Sequence, residues 1–184
     1  LHVPLVMEGP GPFRGGRVIR GSVGLIDLLP TFLDHAGMEP LDGIEGTSFL
    51  GLLTEDGPGS PVFSEELLTP HKTAGRGNAL IQSVRSGSWK FILTYDLQGG
   101  RVLEQAYDLV ADPLEQHDLA EGLGRLPAMP FDEAFCDAVE SVRDRIWGAV
   151  DRTTWMVGNG YTAGVARVTG DRPPRACRPD SRKP

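Results

Sequence analysis

Only two of the 184 residues are cysteine, too few for a disulfide framework or a thiolate zinc site. Long apolar runs are missing too. None approaches the ~20 residues of a membrane span, so no helical span is expected. Positive charge is scarce: 18 Lys and Arg against 25 Asp and Glu leave a formal charge of −7, which speaks against nucleic acid as a partner. The four histidines, His2, His35, His71 and His117, contain no closely spaced pair, so the sequence offers no local metal site. No Gly-x-Ser-x-Gly elbow occurs, and hydrolases built on it are not supported. Gly9-Pro10-Gly11-Pro12-Phe13-Arg14-Gly15 imitates a phosphate loop, but its prolines remove N–H donors that a phosphate would need, and it reads as a turn.

What is abundant is backbone punctuation. The 24 glycines and 15 prolines describe a loop-rich globular chain. The last 18 residues carry Arg167, Arg172, Arg175, Arg178, Arg182 and Lys183 against Asp171 and Asp180, with four prolines and almost nothing apolar after Val168. That end is expected to be a disordered basic tail, since it cannot bury enough surface to offset its ordering entropy. The chain opens on Leu1 and runs directly into an apolar pattern, so a fragment or processed chain is expected. A missing signal peptide then says nothing about compartment.

Residues 3–7 and 18–23 read as short extended pieces. Between Leu25 and Ala36 the apolar residues Leu25, Leu28, Leu29, Phe32 and Leu33 recur at helical spacing, predicting a helix with one buried stripe packed near residues 3–6. Asp27 stands at the N-cap, Pro30 in the first turn, and Gly37 as the stop. Thr47 or Ser48 is expected to cap a turn or two carrying Phe49 to Leu53. The period then changes to two. Val62 to Glu65 is a plausible strand, and residues 79–85 and 89–95 flank Ser86-Gly87-Ser88 as an antiparallel hairpin. Tyr107 to Leu109 is another extended piece. Asp112-Pro113-Leu114-Glu115 has the pattern of a capping box opening one helical turn. Phe135, Val139, Val142, Ile146 and Val150 mark a last helix over residues 132–156.

The order of these pieces carries more than any one of them. His2-Val3-Pro4-Leu5-Val6, Gly9-Pro10-Gly11, Gly16-Arg17-Val18 and Leu25-Ile26-Asp27-Leu28-Leu29-Pro30-Thr31-Phe32-Leu33-Asp34 come first. Ala36-Gly37, Glu45-Gly46-Thr47-Ser48-Phe49-Leu50, Phe63-Ser64-Glu65 and Val84-Arg85-Ser86-Gly87-Ser88-Trp89-Lys90-Phe91-Ile92 follow. Tyr107-Asp108-Leu109, Asp112-Pro113-Leu114-Glu115-Gln116 and Leu119-Ala120 complete the series. In this order the chain resembles the sulfatase family over roughly residues 1–120.

The resemblance implies an α/β fold: the C-terminal part of an alkaline-phosphatase-like core plus a small antiparallel-sheet α+β subdomain. The domains expected are residues 1–60 (end of the core), 61–157 (the subdomain with its terminal helix) and 158–184 (the tail). It implies a parent that hydrolyses sulfate esters with a divalent metal (Ca or Mg) and a formylglycine made from a Cys/Ser-x-Pro-x-Arg motif. Those residues lie upstream of the family's Val-Pro-Leu strand, where this chain begins. The segment is therefore expected to hold no catalytic residue and no metal ligand, and to be inactive alone. Its partner would be the N-terminal catalytic part of the same protein. Cys177-Arg178-Pro179-Asp180-Ser181-Arg182 is a decoy, with Ser181 where the motif needs arginine. His2, where many relatives have Arg, keeps a phosphate or phosphonate monoester as an alternative substrate; an independent non-catalytic structural or binding module is the other reading. The candidate contacts to a small anionic substrate are His71, Lys72 and Arg76, in the loop over residues 67–78, where potentially cationic side chains cluster in an otherwise acidic chain.

Overall fold

The computed structural model describes residues 3–68, 79–96, 101–121 and 133–149, with the side chains of the last helix described through Asp144. The chain divides into two compact units, Leu1–Val62 and Phe63–Pro184.

In the first unit a 3-10 turn, Leu25–Asp27, leads into helix α1 (Leu28–His35). Pro30 falls in its first turn, where the N–H it lacks would have had no intrahelical partner. Gly37, at φ 66, ends it: the Gly37 N–H donates to the Asp34 carbonyl at 3.0 Å and the Met38 N–H to the Leu33 carbonyl at 2.9 Å. This double closure needs a left-handed residue, which glycine adopts without penalty. The stop matches the sequence pattern; Asp27 holds the N-cap position, but its side chain makes no capping hydrogen bond to α1.

The facing of the helix departs from that pattern. Leu25, Leu29 and Phe32 are 66%, 52% and 50% exposed, while Pro30 and Thr31 are buried. Three of the five residues of the expected stripe are turned outward, and Leu28 and Leu33 are half-buried. Asp27, also buried, supplies the reason. Its carboxylate accepts the Gly24 N–H at 2.7 Å and the Thr47 N–H at 2.8 Å. The Thr31 hydroxyl donates to the Asp27 carbonyl at 2.6 Å and accepts the Phe49 N–H at 3.0 Å. Each buried polar group left without a partner costs about 1–3 kcal/mol, the same scale as the ~1.5–3 kcal/mol gained by burying one large apolar side chain. The polar knot holds the inward face, and the apolar stripe takes the other.

Residues 3–7 and 18–23 form no strand. Val3, Leu5 and Val6 are exposed, and the second piece contributes one parallel bridge, Ser22 to Gly59. An extended segment becomes a strand only when a neighbour completes its ladder, and here the described residues supply a single rung. A Cβ at Gly59 would collide with the Ser22 backbone, and one at Gly46 with the Ile26 carbonyl, so both close approaches require glycine. The turn after Thr47 is the 3-10 piece Leu50–Leu53; Phe49 holds its N-cap position, and Ser48 Oγ accepts the Leu50 N–H at 3.2 Å and donates to Asp34 Oδ2.

The second unit follows the two-residue period. Strands β1 (Val62–Leu68), β2 (Ala79–Ser86), β3 (Trp89–Asp96) and β4 (Val102–Asp108) form one sheet in that order. β2 and β3 pair antiparallel from Ala79↔Asp96 to Ser86↔Trp89, closed by Gly87 at φ 55. β4 pairs antiparallel with β3 from Trp89↔Asp108 to Tyr95↔Val102, and is longer than the Tyr107–Leu109 piece legible in the sequence. Alternate residues Leu80, Val84, Phe91, Leu93, Tyr95 and Ala106 are buried with Phe135, Ala138, Val139 and Val142 of helix α2 (Glu133–Ala149). Of the helical stripe read from sequence, Phe135, Val139 and Val142 are thus in the core; the side chains of Ile146 and Val150 lie outside the described residues.

One charge sits inside this core. Arg143 has no exposed surface, and its guanidinium donates through Nε and Nη2 to both oxygens of Glu104 on β4, at 2.7 and 2.6 Å, and through Nη1 to Glu140 at 2.9 Å. It lies 5.9 Å from the Phe91 ring centre. Burial opposes the charge, but the hydrogen bonds and charge of Glu104, then Glu140, outweigh it and hold the guanidinium above its ordinary value. Removing the cation takes from the buried Glu104 carboxylate its paired guanidinium contact and from Glu140 one hydrogen bond. Arg143→Ala is therefore expected to cost about 3–5 kcal/mol in reversible urea unfolding of the chain; a loss below about 1 kcal/mol would show that the carboxylates find other partners.

Candidate functional site

His71, Lys72 and Arg76 lie outside the described residues, so the structure brings none of them to a place. What it does bring together are two groups of motif residues that the sequence presents as separate.

The first follows β4. Asp108 Oδ1 accepts the Val110 and Ala111 N–H groups at 3.0 and 3.4 Å, and the Asp112 N–H returns to the Asp108 carbonyl at 2.7 Å. Asp112 Oδ2 takes the His117 N–H at 2.7 Å. Asp118 Oδ1 accepts from Ala106 at 3.0 Å and Ala120 at 2.9 Å, while the Leu119 N–H donates to the Ala106 carbonyl at 2.8 Å. The loop is thereby stitched to the outer edge of β4. No helical turn opens at Asp112. Glu115 stands at φ 55, and its carboxylate, which a capping box would send back to the Asp112 N–H, instead receives the Lys90 ammonium on both oxygens, at 2.7 and 2.6 Å. The Trp89-Lys90 and Asp112–Glu115 motifs are one ion-paired clasp. Nothing in their spacing announces this, because 25 residues separate the partners and only the β3–β4 register aligns them.

Tyr107, in the same clasp, accepts a hydrogen bond from Gln105 Nε2 at 2.9 Å. Burial, and next the charge of Asp118, push its phenol above the ordinary value, so it stays protonated at neutral pH.

The second group borders a cavity of about 520 Å³ in the first unit, lined by Ser22, Asp27, Ser48, Thr54, Glu55 and Asp56 among others. Asp27 is spent on two backbone N–H groups, Ser48 on Asp34 and Leu50, and the Thr54 hydroxyl on the Gly51 carbonyl at 3.0 Å. Glu55 and Asp56 are exposed. A carboxylate-rimmed cleft of this kind repels an anionic ester rather than collecting it. Among the described residues no three His, Cys, Asp or Glu side chains are grouped so that they could hold a metal ion. The aspartates of the loop and the knot already accept backbone N–H groups. The residues at hand therefore do not fit the divalent metal or the formylglycine that the sulfatase resemblance implies, and no chemical step is derived through either.

With this geometry in place, comparison with known proteins is informative. No family model matches the chain. It is 32% identical to arylsulfatase K of Mus musculus over 123 residues, 65% of this chain, and 32% identical to arylsulfatase K of Homo sapiens over 132 residues. It is 30% identical to choline-sulfatase of Rhizobium meliloti over 149 residues, 79% of this chain. The chain is thus a relative of the sulfatases, as the ordered motifs lead one to expect. It spans 22% to 26% of the length of these curated relatives.

The clasp has a pH signature. The backbone hydrogen bonds from Gln116 and His117 hold the Asp112 carboxyl below its ordinary value. A depressed folded-state value stabilises above the unfolded value of about 3.9 and loses that contribution as pH falls through the folded one. Urea unfolding of wild type and Asp112→Asn should therefore differ most near neutral pH and converge as acid protonates Asp112. A gap that widens on acidification would contradict this.

Proposed function

We propose that this chain is the C-terminal part of a sulfatase, and that it serves sulfate-ester hydrolysis by completing the fold of an N-terminal catalytic part of the same protein. The observation that carries the reading is the outward apolar face of the first unit. Leu25, Ile26, Leu29 and Phe32 around α1, with Leu5 and Val6 before it, are all at least 41% exposed. Monomeric proteins rarely expose many large apolar side chains together without a partner. A partner is in keeping with the length of the relatives, of which this chain matches about a quarter or less. The residues 1–60 then form the end of an alkaline-phosphatase-like core, and residues 3–7 find in that core the ladder neighbours they lack here.

In this reading a divalent metal and a formylglycine would be held by the catalytic part, not by this chain, and would supply the charge neutralisation and the nucleophile that sulfate-ester hydrolysis needs. This chain supplies rigidity through the β-sheet and α2, and the segment between β1 and β2 borders the substrate mouth. His71, Lys72 and Arg76 offer positive charge to the anionic ester there.

Two measurements follow. The isolated chain should show no turnover of an aryl sulfate, with or without Ca²⁺, and turnover attributable to the purified chain would contradict the reading. In the complete protein, His71→Ala or Arg76→Ala should raise KM and leave kcat little changed, because the loop acts on binding rather than on the bond broken. If both variants keep kcat/KM within about twofold of the parent, a loss of ~0.4 kcal/mol or less, these side chains do not touch the substrate.

A further inference from the structure

Helix α2 packs on one face of the sheet, and no other described element packs on the opposite one. The register sets out what that opposite face presents. Ile81, Thr94 and Leu103 stand side by side across β2, β3 and β4, and Ser83, Ile92 and Gln105 form the next row. Leu103 is 55% exposed, and the other five are half-buried.

The outward face of an antiparallel sheet ordinarily carries polar and charged residues that water solvates. Here 23% of the chain is charged, yet none of these six positions is. Charge is confined to the two ends of the face. At one end Arg101 pairs with Asp96 at 3.8 Å. At the other, Arg85 lies directly opposite Lys90. Like charges facing each other across a sheet repel. Glu115 relieves this for Lys90, whose ammonium it takes on both oxygens. The exposed Arg85 guanidinium has a 3.5 Å bond from Nε to the Gly87 carbonyl and no ion pair among the described residues. An uncharged centre within a charged rim is the anatomy of a protein–protein interface.

We infer that this face is a second contact surface for the N-terminal catalytic part, which lays an apolar patch on Ile81, Ile92 and Leu103 and brings an anionic group to Arg85. The inference rests on the functional reading above, and area selects the occupant. Strands ~4.8 Å apart and rows ~7 Å apart give a patch of about 300 Å². A stable complex of free molecules buries about 800 Å² on each partner, so two copies of this chain would not hold together on it alone. A patch of this size suffices for another part of the same polypeptide, because the covalent link raises its effective concentration. The sulfatases that the chain matches are much longer than it is.

The test compares the isolated 184-residue chain with the same chain joined to the proposed N-terminal catalytic part. The methyl groups of Ile92 and Leu103, and of Leu29 on α1, are isotope-labelled, and a soluble gadolinium chelate reports their access to solvent through relaxation. The expected result is strong relaxation of Ile92 and Leu103 in the isolated chain and a several-fold loss on joining. Leu103→Glu should leave the Tm of the isolated chain unchanged, because this side chain already meets water, and lower that of the joined protein by several degrees. Arg85→Glu should do the same by setting a carboxylate against the partner's anionic group. Leu29 separates the two readings. If it becomes shielded while Ile92 and Leu103 stay exposed, this inference fails and the functional reading stands; if all three stay exposed, both fail. Shielding of Ile92 and Leu103 already in the isolated chain would also overturn the inference, since the chain itself would then cover the face.

Discussion

One buried carboxylate decides how the first unit presents itself. Asp27 gathers the Gly24 and Thr47 N–H groups, its carbonyl takes the Thr31 hydroxyl, and Thr31 in turn takes the Phe49 N–H. Two separated stretches of chain, residues 24–31 and 47–49, are tied at one point. Rotating α1 to bury Phe32 and Leu29 would break the knot, and the polar groups released would cost about as much as the apolar burial gains. The outward apolar face is the consequence. It makes the first unit a surface in want of a neighbour.

The second unit solves the same problem differently. Its sheet has a largely apolar face, α2 packs on it, and the buried Arg143 is paired there with the buried carboxylates of Glu104 and Glu140. Such an arrangement is strongly destabilised by loss of one partner, yet a hydrophobic replacement of all three could be as stable. Its worth lies in fixing how α2 registers on the strand bearing Glu104. The contrast between a unit with a closed core and a unit with an open face is the physical content of the functional reading. In the proposed reading, the chain contributes structure to a sulfatase whose chemistry lies elsewhere.

How much of this was legible follows from the range of each interaction. The hairpin was readable because its alternation and its Gly87 turn are local, and so was the stop of α1, set by Gly37. The facing of α1 was not, because hydrophobic periodicity locates a stripe but does not say whether its partner is in the chain. The strands expected at residues 3–7 and 18–23 failed for the same reason: strand formation needs a neighbour. Glu115 deceived through its position, three residues after Asp112, since the ammonium of Lys90 competes for it and wins. Most of β4 lacked a sequence signal, because buried Glu104 interrupts its apolar alternation and is explained only by Arg143, 39 residues on. The candidate substrate contacts rested on charge alone, and the described residues leave them as they stood.

The central claim, that the α1 face is covered in the complete protein, is most directly tested by carbene footprinting of the side chains of Leu25, Leu29 and Phe32. Labelling would be compared between the isolated 184-residue chain and the same chain joined to the proposed N-terminal catalytic part, with Thr31 and Phe91 as buried references in both. The account predicts heavy labelling of the three residues in the isolated chain and a several-fold loss in the joined protein, with the references unlabelled throughout. Equal labelling of Leu29 and Phe32 in the two proteins would contradict it.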